Sequence, residues 1–114
     1  MNTGFSKEQI ISFVGQAQDL AREAGQAMYQ KVGERDACGF GWVDVYVERT
    51  NSKEAKALIE AGFRKGYRPR QLTMWDPAGV NTQSVSVKEA GASAMAEFLR
   101  ATLGLNAYAG SRLD

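Results

Sequence analysis

No histidine and a single cysteine, Cys38, leave this chain few routes to covalent or metal chemistry. Without histidine there are no Ser-His-Asp or Cys-His pairs, no HExxH zinc sites and no imidazole acid–base work near neutral pH. One cysteine makes neither an intramolecular disulfide nor a multi-cysteine metal site. A reactive Cys38 would need Arg or Lys to lower its pKa, and its place before a Gly-Phe-Gly run reads as structural. Asp44, Glu48 and Asp76 are the acids near strand ends, and a paired-carboxylate mechanism needs two of them in one pocket. We therefore assign no catalytic residue, no metal ligand and no cofactor, and expect a binding protein rather than an enzyme.

Binding chemistry concentrates in two stretches. Residues 64–70 hold Arg64, Lys65, Arg68 and Arg70 with Tyr67 among them and no acid. The whole chain carries 14 basic and 13 acidic residues, a net charge of +1, so this positive field is local. Such a patch suits phosphates, a single nucleic-acid strand or an acidic protein surface. The second stretch is polar. Asn51 and Ser52 open one helix, Asp76 ends a strand, and Asn81, Thr82, Gln83 and Ser84 lead into another helix with Lys88 one turn inside. Ser111 and Arg112 are candidate neighbours. Helix N-termini present free N–H groups and about half a positive charge, which suits a nucleotide or other phosphate compound. No GxxxxGK[ST] or GxGxxG accompanies them. Trp42, Asp44 and Tyr46 share one strand face and Trp75 lies on a second strand. Rings around a carboxylate can form a stacking pocket, but the expectation here is core with one polar residue at its rim.

A chain of 114 residues positions these groups as one domain. Residues 1–33 read as a long N-terminal helix. Ser6 and Gln9 make a capping box, and Ile10, Phe13, Val14, Ala17, Leu20, Ala21, Ala24, Ala27, Met28 and Val32 form its apolar stripe. Gly15 and Gly25 weaken it by ~1 kcal/mol each relative to alanine, so packing must hold it. Residues 38–112 read as a β-α-β-α-β unit. The first strand alternates Val43, Val45 and Val47 against Phe40, Trp42, Asp44 and Tyr46, and bulky groups on both sides predict that both faces are covered. A short helix follows Ser52. A strand runs over 71–76, a helix capped by a Ser86–Glu89 box ends at Gly104, and a last strand begins at Asn106. The order α-β-α-β-α-β predicts an α/β (or α+β) domain, its three-stranded sheet at least partly parallel and covered by three helices. Parallel strands one and two would gather Asn51, Ser52, Asp76 and Ser84 on one edge. The N-terminus lacks a signal-peptide pattern. No apolar run approaches the ~20 residues that span a bilayer, so a soluble protein with no membrane partner is expected.

Four segments carry a resemblance: Cys38-Gly39-Phe40-Gly41-Trp42-Val43, Trp75-Asp76-Pro77-Ala78-Gly79, residues 83–92 from Gln83-Ser84 to Gly91-Ala92, and Ala107-Tyr108-Ala109-Gly110-Ser111-Arg112-Leu113-Asp114. Together they resemble a family of small bacteriophage and prophage proteins without an assigned function. The resemblance spans about residues 37–114 and brings no reaction with it. It implies an accessory protein in the cytoplasm of an infected bacterium, binding a host factor as an inhibitor, anti-defence or sequestering protein. A host protein is the first partner it implies. A nucleotide or nucleic acid, a homodimer and a virion-associated role are the alternatives.

Overall fold

Helix α1 (Lys7–Val32) begins at the expected cap: the Ser6 side chain accepts from the Gln9 N–H, and the Gln9 side chain accepts from the Ser6 N–H. This computed structural model describes residues 4–114; residues 1–3, part of the N-terminal segment read above, lie outside the described residues. After α1 and a 3-10 turn (Gly33–Arg35) come β1 (Gly39–Tyr46), α2 (Lys53–Glu60), β2 (Arg64–Lys65), β3 (Gln71–Trp75), α3 (Val85–Leu103) and β4 (Asn106–Leu113).

The sheet has four strands in the order β2-β3-β1-β4, and every neighbouring pair is antiparallel. The expected three-stranded, partly parallel sheet is therefore corrected. The cause is β2. Arg64 and Lys65 are charged and exposed, so their pattern marks a loop, yet they pair with Thr73 and Leu72. Residues 66–70 then turn the chain straight into β3, with the Gly66 N–H donating to the Gln71 carbonyl at 2.8 Å. β1 and β2, joined through α2, still run the same way, as do β3 and β4, joined through α3. Each crossover skips one position and the other pair fills it, the split β-α-β order. Parallel strands never become neighbours.

Only one face of this sheet enters the core. Val43 and Val45 of β1, Val47 just past its end, Leu72 and Met74 of β3 and Ala107 of β4 pack with Met95 and Leu99 of α3, Ile10 and Val14 of α1 and Leu58 of α2. Helix α3 lies on β1 and β4, and α1 packs along α3 and α2. The alternate residues of the strands face away from this layer, and Trp75 and Tyr108 there are 52% and 51% exposed. The expectation that both faces of β1 are covered, with Trp42, Tyr46 and Trp75 in the core and Asp44 at its rim, is overturned. All three helices are recruited by the aliphatic face.

Two glycines set how closely α1 and α3 approach. Ala78, from the β3–α3 connection, is fully buried between them. A Cβ at Gly91 would lie 2.5 Å from the Ala78 Cβ, and one at Gly25 2.8 Å from it. The stripe of α1 accordingly turns through Gly25 rather than Ala24 and Ala27, and Leu20 stays 39% exposed. A Cβ at Gly15 meets nothing within 4 Å. We expect Gly91→Ala and Gly25→Ala to destabilise by about 1–3 kcal/mol through overpacking. Gly15→Ala should stabilise by about 1 kcal/mol through helix propensity. Urea unfolding checks this, and a Gly91→Ala protein more stable than wild type would contradict the wedge.

Candidate binding face

Directly opposed residues of antiparallel strands point to the same side, so pairing builds the outer face row by row. Trp75, Trp42 and Gly110 form one row; Arg64, Thr73, Asp44 and Tyr108 the next; Gln71, Tyr46 and Asn106 a third. The rings of Trp42 and Trp75 lie 4.9 Å apart at 45°. Trp42 Nε1 donates to one Asp44 carboxylate oxygen at 3.1 Å, and Thr73 Oγ1 donates to the other at 2.6 Å. Asp44 thereby fixes the indole rather than standing as a free base. Gly110 supplies the floor: a Cβ there would fall 2.5 Å from the Trp42 ring. Phe40 meets Trp75 edge-on at 6.3 Å, while Lys88 Nζ and Arg112 Cζ sit 5.6 and 5.2 Å from the Phe40 centroid, in cation–π range. Tyr46 and Tyr108 make a second ring pair at 6.2 Å. A groove of about 570 Å³ runs over this face, lined by Trp42, Asp44, Thr73 and Trp75 together with Arg64, Lys65, Tyr67 and Arg112.

The basic stretch divides. Arg64, Lys65 and Tyr67 line the groove, and Tyr67 is fully exposed. Arg68 and Arg70 belong to the hairpin turn, where the Arg68 N–H donates to the Gln71 side chain at 2.9 Å and the Arg70 carbonyl accepts from the Val47 N–H at 2.9 Å. Arg70 lines a smaller hollow of about 300 Å³ with Tyr46, Glu48 and Asn106.

The polar residues do not share one edge, because β1 and β3 run antiparallel. Asn51 and Ser52 follow the end of β1, and Ser52 caps α2 by accepting from the Ala55 N–H at 3.1 Å. Asp76 lies past the other end of the sheet, its N–H donating to the Gly41 carbonyl at 2.8 Å. Its φ is 47°, a left-handed conformation that Asp tolerates better than most side chains, and one carboxylate oxygen is buried without a partner. Near that end Thr82 Oγ1 accepts from the Ser84 N–H at 3.2 Å, the Gln83 carbonyl accepts from the Gly39 N–H at 3.0 Å, and Asn81 is exposed. The Ser111 hydroxyl donates to Glu89, and Arg112 joins Lys88 at Phe40.

Helix α3 is capped by Ser84, not by a Ser86–Glu89 box. Ser84 Oγ accepts from the Val87 N–H at 3.2 Å and donates to an Asp36 carboxylate oxygen at 2.6 Å, and the Ser86 N–H donates to that same oxygen at 2.8 Å. The protein's own carboxylate thus occupies the helix end that is the candidate site for a phosphate. Nothing in the local sequence marks Asp36, which reaches these groups across 48 and 50 residues. Gly110 and Thr73 were equally silent. The aromatic residues were visible but read as core, since a ring's type does not say whether a helix covers it.

Comparison with protein-family models, curated proteins and solved structures finds no match. Among the described residues, no helix is long and apolar enough to cross a membrane, and no group of three or more Cys, Asp or Glu side chains could hold a metal ion.

The Ser84 hydroxyl, followed by the Ser86 N–H, holds Asp36 at a pKa of about 2 against an ordinary 3.8. A depressed carboxylate pKa stabilises the fold above the unfolded value and loses that contribution as pH falls through the folded value. Asp36→Asn should therefore lower the thermal midpoint at pH 7, and the gap from wild type should narrow between pH 3.8 and about 2. Melting curves across that window test it; a gap that is constant with pH would refute the assignment.

Proposed function

We propose that this chain is a non-catalytic binding protein that meets its partner with the open face of the sheet. We further propose that it is a bacteriophage or prophage accessory protein acting on a host component in the cytoplasm of an infected bacterium. The observation that carries the first proposal is the Trp42–Trp75 pair, held by Asp44 and Gly110 in an open groove with Arg64, Lys65 and Arg112 around it. Large rings left on one side of a small sheet mark an interaction surface. Tyr and Trp are side chains that anchor interfaces when held rigid. The polar network supports binding over catalysis, because both Asp44 oxygens are already engaged by neighbouring donors. The phage origin rests on the resemblance of the segments around Cys38, Trp75, Gln83 and Ala107. A small-ligand site at the α3 N-terminus is disfavoured by the Asp36 carboxylate that fills it.

The test is affinity capture during infection with wild type and with Trp75→Ala combined with Arg64→Glu. Both positions are exposed, so circular dichroism and melting temperature should stay near wild type. The captured species, protein or nucleic acid, should be lost with the double variant. Identical capture by a folded variant would overturn the reading.

A further inference from the structure

We infer that the partner of this face is an unpaired nucleic-acid strand, its bases stacking on the Trp42–Trp75 pair and its phosphates following Arg64, Lys65 and Arg112. This rests on the reading of the open face as the binding surface. Three observations select this partner.

The first is charge. The groove is lined by three cations, Arg64, Lys65 and Arg112, and one acid, Asp44, whose two oxygens already accept from Trp42 and Thr73. The remainder of the chain is nearly balanced, so an anionic partner finds its complement here.

The second is the arrangement of rings. Trp42 with Trp75 and Tyr46 with Tyr108 form two stations on one continuous face. Four residues along β1 separate them by ~13 Å at the usual strand rise. Repeated flat rings beside a cationic rim match a polymer that alternates flat bases with phosphates, and base–aromatic stacking tolerates any sequence. An acidic peptide would neutralise the cations and leave the indole faces without flat partners. A duplex keeps its base faces inside the helix, out of reach of the sheet.

The third is the position of Asp44. It stands in the row between Trp42 and Tyr46 along β1, opposite Thr73 and Tyr108. Like-charge repulsion keeps phosphates off the middle of the face and on its rim, which turns the bases inward. Each carboxylate oxygen retains a lone pair beyond the donor it already has, and can accept from a base amino group. Tyr67, fully exposed in the hairpin turn beside Lys65, adds a ring at the groove margin.

Fluorescence titration tests the inference with unlabelled single-stranded DNA and single-stranded RNA of mixed sequence, the matching duplex, and inorganic polyphosphate. Either single strand should quench indole emission saturably, and the duplex and polyphosphate should not. Trp75→Ala should weaken anisotropy-measured binding of a labelled strand by about tenfold or more, the usual loss for one stacking residue. Arg112→Glu should also weaken it, and log K should fall with log salt with a slope of about −2, as for three phosphates on a single strand. Lys56→Glu, an equal charge change at an exposed site on α2 outside the groove, should leave binding as in wild type. Circular dichroism identifies any variant that fails to fold, and Arg112→Glu and Trp75→Ala serve as independent probes of the face. No saturable quenching by either strand, or polyphosphate binding as tightly as the strands with Trp75→Ala unaffected, would overturn the inference. If no strand binds while the double variant still loses its captured partner, the nucleic-acid assignment falls and the open face stands as the binding surface. If a strand binds but every face variant binds it as wild type does, both fall.

Discussion

Val43 and Val45 alternate along β1, Val47 continues the pattern one residue past its end, and the rest of the molecule is arranged around hiding them. Burying each such side chain is worth roughly 1.5–3 kcal/mol, and all three are essentially inaccessible to water. Because side chains in a strand alternate with a period of two, a one-residue slip in pairing would carry Asp44 inward and the valines outward. That penalty holds the register, and the register delivers Trp42, Asp44 and Tyr46 to the opposite side together. β3 and β4 follow by pairing, adding Trp75, Tyr108 and Arg112 to the same surface. The open aromatic face is thus the obligatory reverse of the core.

Two carboxylates show how the surrounding donors decide a role. Asp36 is drawn into the first turn of α3, where the Ser84 hydroxyl and the Ser86 N–H both favour its charged form. It closes a helix end that would otherwise attract an external anion. Asp44 sits on the open face and accepts from an indole and a hydroxyl. It ties the Trp42 ring to its own strand through the indole N–H. Gly110 cooperates by leaving space for the ring to lie against β4.

The helix layer makes this open face affordable. Gly25, Gly91 and Ala78 let α1 and α3 close tightly around one connection. The aliphatic residues of all three helices and the inner sheet face then form one core cluster. The aliphatic burial is concentrated on one side of the sheet, and the other carries the aromatic residues and cations.

Local signals in the chain determined its helices, their approximate ends and three of the four strands. Ser6 and Gln9 mark a start, Gly104 marks a stop, and alternation marks β1, because capping and side-chain periodicity are short-range properties. The cationic run at 64–70 was legible as a feature, and so was the presence of rings near Asp44. Strand order, strand direction, the strand hidden in Arg64 and Lys65, and the choice of which β1 face lies open were decided only in three dimensions. So was the pairing of Asp36 with Ser84 and Ser86. A two-residue charged strand has no hydrophobic period to reveal it; it exists because the hairpin presents its backbone to β3. The two faces of β1 both carry bulky side chains, and only the positions of α1, α2 and α3 tell the buried one from the exposed one.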